Sequence, residues 1–199
     1  MATTFTVDLT GMQEVPPNAS AASGTGTVVW DPATTTATYE FVVNGLDFGP
    51  ALGLAPQTET TADDVTAMHF HNAAPGVAGP VVFGQLGPAQ DADDLQVVPN
   101  DDGSWTISGV WETTDPASVP ITNFATVLTS TPVGSDAPLY WNVHTTAFPE
   151  GEIRGQLVAA EDSGTGDTGG MTDTGTDDTS GIADSGTPTP MGTDNVLIG

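Results

Sequence analysis

Tyr140-Trp141-Asn142-Val143-His144-Thr145 and Gly151-Glu152-Ile153-Arg154-Gly155-Gln156-Leu157, joined by Thr146-Ala147-Phe148-Pro149-Glu150, read together as a β-hairpin. A five-residue connection lies within the usual hairpin range. Side chains alternate between the two faces of a strand, so Trp141, Val143, Ile153 and Leu157 fall on one apolar face. Pairing Thr145 with Gly151 then puts His144 opposite Glu152, Asn142 opposite Arg154, and Tyr140 opposite Gln156, all on the other face. Apolar pattern and loop length agree on this register. It makes the chain a β-protein with one strongly polar face.

The other two histidines occupy Met68-His69-Phe70-His71-Asn72. Met68 and Phe70 point one way on a strand, His69 and His71 the other. Same-face neighbours on a strand are about 7 Å apart, close enough for two imidazoles to converge on one ion. With this strand beside the hairpin, His69, His71 and His144 would meet, with Glu152 as a fourth ligand or an acceptor behind them. Tyr140, Asn142 and Arg154 would surround the set. Three imidazoles and an optional carboxylate suit Cu(II) or Zn(II). A second reading stays open: a cross-strand polar network or small-ligand site in which Arg154 bridges Glu152 or another acid. In either reading Arg154 is expected to pair with an acid.

Composition narrows the function classes. The 199 residues contain one Lys or Arg against 26 Asp and Glu, a formal net charge of −25. Nucleic-acid binding depends on basic side chains neutralising phosphates, and attraction to anionic membranes also needs cations. Both are therefore excluded as partners. Cysteine is absent, which rules out disulfides and thiolate metal sites. No stretch has the length of a membrane-spanning helix, and Met1-Ala2-Thr3-Thr4-Phe5 shows no signal-peptide pattern. There is no Gly-x-Ser-x-Gly elbow and no placed nucleophile beside a histidine, so no catalytic residues are assigned. Asp63-Asp64 and Asp91 to Asp94 are acidic loop clusters. They could take calcium but lack the EF-hand spacing, and solvated loop charge is the simpler reading.

Val-, Thr- and aromatic-rich runs separated by Gly, Pro, Asn and Asp predict strands over Phe5–Leu9, Gly24–Trp30, Thr36–Asn44, Val65–Asn72, Val81–Gln85, Ser104–Val110, Phe124–Thr129, Tyr140–Thr145 and Gly151–Val158. The stretches Asp47–Asp64 and Pro88–Gly103 are expected to be surface loops. This pattern predicts an all-β fold over residues 4–158, an antiparallel β-sandwich or Greek-key barrel. Residues 159–199 are Gly-, Asp- and Thr-rich and are expected to form a disordered acidic tail, acting as a secretion signal or a linker. The ending Gly192-Thr193-Asp194-Asn195-Val196-Leu197-Ile198-Gly199 is similar to part of a calcium-binding RTX repeat, a feature of type I secretion.

Three ordered stretches resemble the CHRD (chordin-type) domain family. They are Leu9-Thr10-Gly11-Met12-Gln13-Glu14-Val15-Pro16-Pro17 with Gly24-Thr25-Gly26; Met68 to Gly76 with Gly79-Pro80-Val81-Val82-Phe83; and Tyr140 to Thr145 with Pro149 to Leu157. The resemblance covers about residues 4 to 158. It implies an extracellular or cell-surface β-sandwich module of the bacterial secreted type, with a non-enzymatic role towards an extracellular protein or matrix partner. The alternative is a copper- or zinc-dependent metalloprotein with redox or hydrolytic activity at His69, His71 and His144. The His-x-His pair is also similar to that of copper/zinc superoxide dismutases, but one further histidine and no cysteine pair leave that ligand set incomplete.

Overall fold

A computed structural model describes residues 1–161. The expected tail therefore lies outside the described residues, apart from its first three. The strands are β1 (Thr3–Thr10), β2 (Ser23–Asp31), β3 (Thr36–Asn44), β4 (Val65–His71), β5 (Val81–Leu86), β6 (Gln96–Pro99), β7 (Trp105–Trp111), β8 (Asp136–Thr145) and β9 (Ile153–Ala159), with one short helix, α1 (Ala125–Ser130). β9 runs one residue past the expected boundary at 158, and Ala159 pairs with Phe5.

All nine strands belong to one antiparallel sheet in the order β5-β4-β8-β9-β1-β2-β3-β7-β6. The expectation of two packed sheets or a Greek-key barrel is thus met in a different form: the sheet curls until its halves face each other. The core shows the curl directly. Phe41 of β3 stacks on Trp141 of β8 at 4.1 Å between ring centroids, although three strands separate β3 from β8 in the sheet. Phe83 of β5 stacks on Trp111 of β7 at 4.9 Å. Alternation supplies this interior: Phe5, Val7 and Leu9 from β1, Tyr39, Phe41 and Val43 from β3, and Trp105, Ile107 and Trp111 from β7 are all buried. Each fully buried large side chain contributes roughly 1.5–3 kcal/mol over its exposed state.

β5 and β6 are the two edges of the sheet. An edge offers unpaired amides and carbonyls, and proteins cover such rows. Here Val119 donates its amide to the Val82 carbonyl, while the Gln90 side chain accepts from the Gly84 amide.

Two local expectations fail. The sequence predicts a strand over Phe124–Thr129, but Ile121–Phe124 forms a 3-10 turn that runs into α1. Ile121, Phe124 and Leu128 are the buried residues, with i, i+3, i+7 spacing that fits a helix, and Pro120 precedes the first turn. The β-branched residues between them gave the opposite signal. β6 lies inside the expected loop Pro88–Gly103. It is a four-residue, largely exposed edge strand, too short and polar to show alternation.

The hairpin register is the predicted one over Tyr140↔Gln156, Trp141↔Gly155, Asn142↔Arg154 and Val143↔Ile153. It breaks at the last pair. The Phe148 carbonyl accepts from the amides of both Thr145 and Gly151, and the Glu152 amide donates to Val143 at 2.8 Å. Gly151 makes this turn at φ 128°, a region that favours glycine. Glu152 consequently bonds to Thr145 instead of facing His144.

Candidate metal centre

β4 and β8 are neighbours, so the expected convergence of the histidines can be read from their pairing: His71↔Tyr140, His69↔Asn142 and Ala67↔His144. Ring centroids are 5.4 Å apart for His69–His71, 5.0 Å for His69–His144 and 6.3 Å for His71–His144. One nitrogen from each ring lies within 4.8 Å of the others. His69 and His71 are buried and His144 is partly exposed, although the unpartnered His144 Nε2 is itself buried.

Each imidazole has one nitrogen committed to a backbone carbonyl. His69 Nε2 donates to Gly87 at 2.8 Å, His71 Nδ1 to Gly79 at 2.9 Å, and His144 Nδ1 to Pro149 at 2.9 Å. A carbonyl only accepts, so the proton must be on the ring nitrogen facing it. The other nitrogens, His69 Nδ1, His71 Nε2 and His144 Nε2, are buried and have no partner. Three rings thus have fixed tautomers and three free lone pairs in one place. Burial pushes His71 down to about 4, helped by its histidine neighbours and opposed by the Gly79 carbonyl. Burial also holds His69 below its ordinary value. Neutral, oriented imidazoles backed by carbonyls are the form in which histidine binds a metal.

The surrounding residues do not all take the expected places. Glu152 stands outside the cluster, with one carboxylate oxygen accepting from Ser20 at 2.6 Å and the other from Thr145. Among the described residues Arg154 forms no ion pair with an acid. It donates to the carbonyls of Val77 at 2.8 Å and Ala74 at 3.1 Å and to Gln156 at 3.0 Å. Its guanidinium also lies over the Tyr140 ring, 3.5 Å from the centroid. Glu14 is the nearby acid that favours the charge, yet its carboxylate accepts from Asn142. Tyr140 stacks on His71 at 4.7 Å and 9°, and its hydroxyl accepts from the Gly79 amide. Asn142 lies beside His69 in the register, with its Oδ1 buried and unpartnered.

Several contributors carried no signal in the sequence. The three backing carbonyls come from loops, and their orientation depends on tertiary packing. Gly79 is the exception that could have been suspected, as part of Gly79-Pro80. A Cβ there would lie 2.1 Å from the Asn72 carbonyl oxygen, so the loop closes on His71 only with glycine. Among the described residues, Asp63-Asp64 gathers no third ligand, whereas Asp91 and Asp93 are joined by Asp115, a residue the sequence did not single out.

No helix among the described residues is long and apolar enough to cross a membrane. Neither the curated proteins nor the solved structures contain a match to this chain. The model of the CHRD domain family does match, over residues 5–157. That span begins in β1 and ends in β9, taking in part or all of every strand and all three histidines, and on that match the chain belongs to the CHRD domain family.

Proposed function

We propose that this chain is an extracellular, non-enzymatic CHRD module that holds one Cu(II) or Zn(II) ion on His69, His71 and His144. One observation carries the reading: three converging ring nitrogens have no partner, while the opposite nitrogen of each ring is tied to a carbonyl. A packed protein seldom leaves buried polar atoms unsatisfied, and three in one place mark a site for something electrophilic. Imidazole donors suit copper or zinc, and the absence of thiolates argues against a softer site. The family supports an extracellular setting, with a protein or matrix partner, and type I export is the route that fits the repeat-like ending.

A metalloenzyme is the second reading, and a ligand group of only three imidazoles favours it. Three protein ligands leave a fourth position where water can be activated for redox or hydrolytic work. Against it, the nearest expected acid, Glu152, is held by Ser20 and Thr145 and does not serve as a base at the cluster.

Elemental analysis of native protein, followed by titration with Cu(II) and Zn(II), tests the proposal. The expected result is one equivalent bound, abolished in His71→Ala. Less than about a tenth of an equivalent, with no uptake on titration, would remove both readings. Turnover that requires the bound ion would favour the second.

A further inference from the structure

A second group of ligand-type side chains lies apart from the histidines. Asp91 and Asp93 belong to the connection between β5 and β6, and Asp115 to the segment after β7. Each offers one carboxylate oxygen within 4.8 Å of the other two. We propose that Asp91, Asp93 and Asp115 bind a hard divalent cation, calcium, independently of the histidine site.

Proximity of acids alone would not carry this, since solvated acidic loops are common. The deciding observation is Asp91, which is only 1% exposed. Its Oδ2 accepts from the Tyr39 hydroxyl, but Oδ1 is buried and has no hydrogen-bond partner. An unsatisfied buried carboxylate oxygen costs free energy that a bound cation would recover. No protein cation is available to do so. Arg154 is the only Lys or Arg in the chain, and it is committed to the Ala74 and Val77 carbonyls, while the histidines form the separate cluster.

The neighbouring contacts keep the oxygens oriented. Asp115 Oδ2 accepts from the Glu112 amide at 2.6 Å, leaving Oδ1 for a ligand. Asp94, next in the chain, accepts from the Val110 amide at 2.8 Å and adds negative charge nearby. Burial chiefly pushes Asp91 up to about 7, opposed by the Tyr39 hydroxyl and helped by the charge of Asp94, a carboxyl–carboxylate hydrogen bond to it and the charge of Asp115. A cation would take the place of that shared proton. Oxygen-only, carboxylate-rich ligands select hard cations over copper or zinc. Calcium fits better than magnesium, because it accepts irregular geometry and fills its remaining positions with water, and exposed Asp93 leaves the site open on that side.

The test is calcium titration of the metal-stripped full chain by calorimetry, with thermal melting in parallel. Asp93→Asn and Asp115→Asn are the informative variants, because neither residue is a core side chain; Asp91→Asn also disturbs Tyr39. Wild type is expected to bind one calcium that both variants weaken at least tenfold, and calcium should raise the melting temperature of wild type only. His71→Ala should bind calcium as wild type does, so failure here and failure of the histidine site are separable. Calcium bound at acids elsewhere in the chain is common to all variants and cancels in the comparison. Equal calcium uptake and equal melting shifts in wild type and variants would overturn the proposal. So would equal stabilisation by magnesium or by KCl at matched ionic strength, which would indicate screening alone.

Discussion

His71 concentrates the chemistry of the histidine cluster in one ring. Its Nδ1 is bound to Gly79, its face is stacked on Tyr140, and its Nε2 is free. In metal-free protein this imidazole should remain neutral, as the Nδ1–H tautomer, until the pH approaches about 4. Nitrogen-detected NMR of the side chain checks this, and a ring titrating near 6.5 would contradict the burial argument. Glu152 shows the opposite case. Strand alternation put His69 and His71 on one face, because period two follows from the backbone itself, and the expected neighbourhood of β4 and β8 brings His144 to them. Glu152 lay beyond the last regular pair, where Gly151 and the Phe148 carbonyl set the geometry, and no residue pattern encodes that. Glu152→Gln should therefore leave metal uptake within about twofold of wild type. It should nevertheless cost about 1–3 kcal/mol of stability, since one amide cannot accept from both Ser20 and Thr145. Metal titration and denaturant unfolding of the same variant separate the two effects.

Between β4 and β5 the chain crosses residues 72–80, and this connection shapes the site as much as the strands do. Gln156 donates to the Ala73 carbonyl at 2.9 Å, while Arg154 grips Ala74 and Val77. The far end of the loop then presents Gly79 to both His71 and Tyr140. Arg154 is thus a positioning residue for His71. Lysine would keep the charge but could not span two carbonyls while covering the Tyr140 ring. Arg154→Lys should weaken copper or zinc binding about 10–100-fold, the usual effect of losing support behind a ligand. In metal-free protein it should also expose residues 73–79 to proteolysis. Tight metal binding with an unchanged cleavage pattern would show that the loop holds without the guanidinium. Element identity was legible wherever alternation was long, as in β3, whose expected limits Thr36–Asn44 match the structure. It was lost at α1, where β-branched residues sit on a helix anchored by Ile121, Phe124 and Leu128, and at β6, which is too short to show a period.

Across the whole molecule, the curl of the sheet was the least legible feature. Alternation tells which residues are buried, but not whether their partner is a second sheet or the far end of the same one. The charge balance, by contrast, was plain from the composition, and the described residues hold two polar sites with opposite proton linkage. His71 is depressed to about 4, below its unfolded value near 6.5, so its contribution is fully present above about 6.5 and is lost as pH falls toward 4. Asp91 is raised to about 7, above its unfolded value near 3.9, so its contribution is fully present at low pH and is lost as pH rises through about 7. Between roughly pH 4.5 and 6.5 the two slopes oppose, each with a ceiling of about 1.4 kcal/mol per pH unit for one proton. Relative to wild type, His71→Asn should make stability fall more steeply as pH rises across that window, and Asp91→Asn should make it rise more steeply. Denaturant unfolding of all three proteins in chelator, at high salt to screen general repulsion, measures both slopes. Parallel curves for the three would mean that neither site is coupled to folding, whereas divergence in the stated directions requires a neutral buried imidazole and a carboxyl group held protonated by burial.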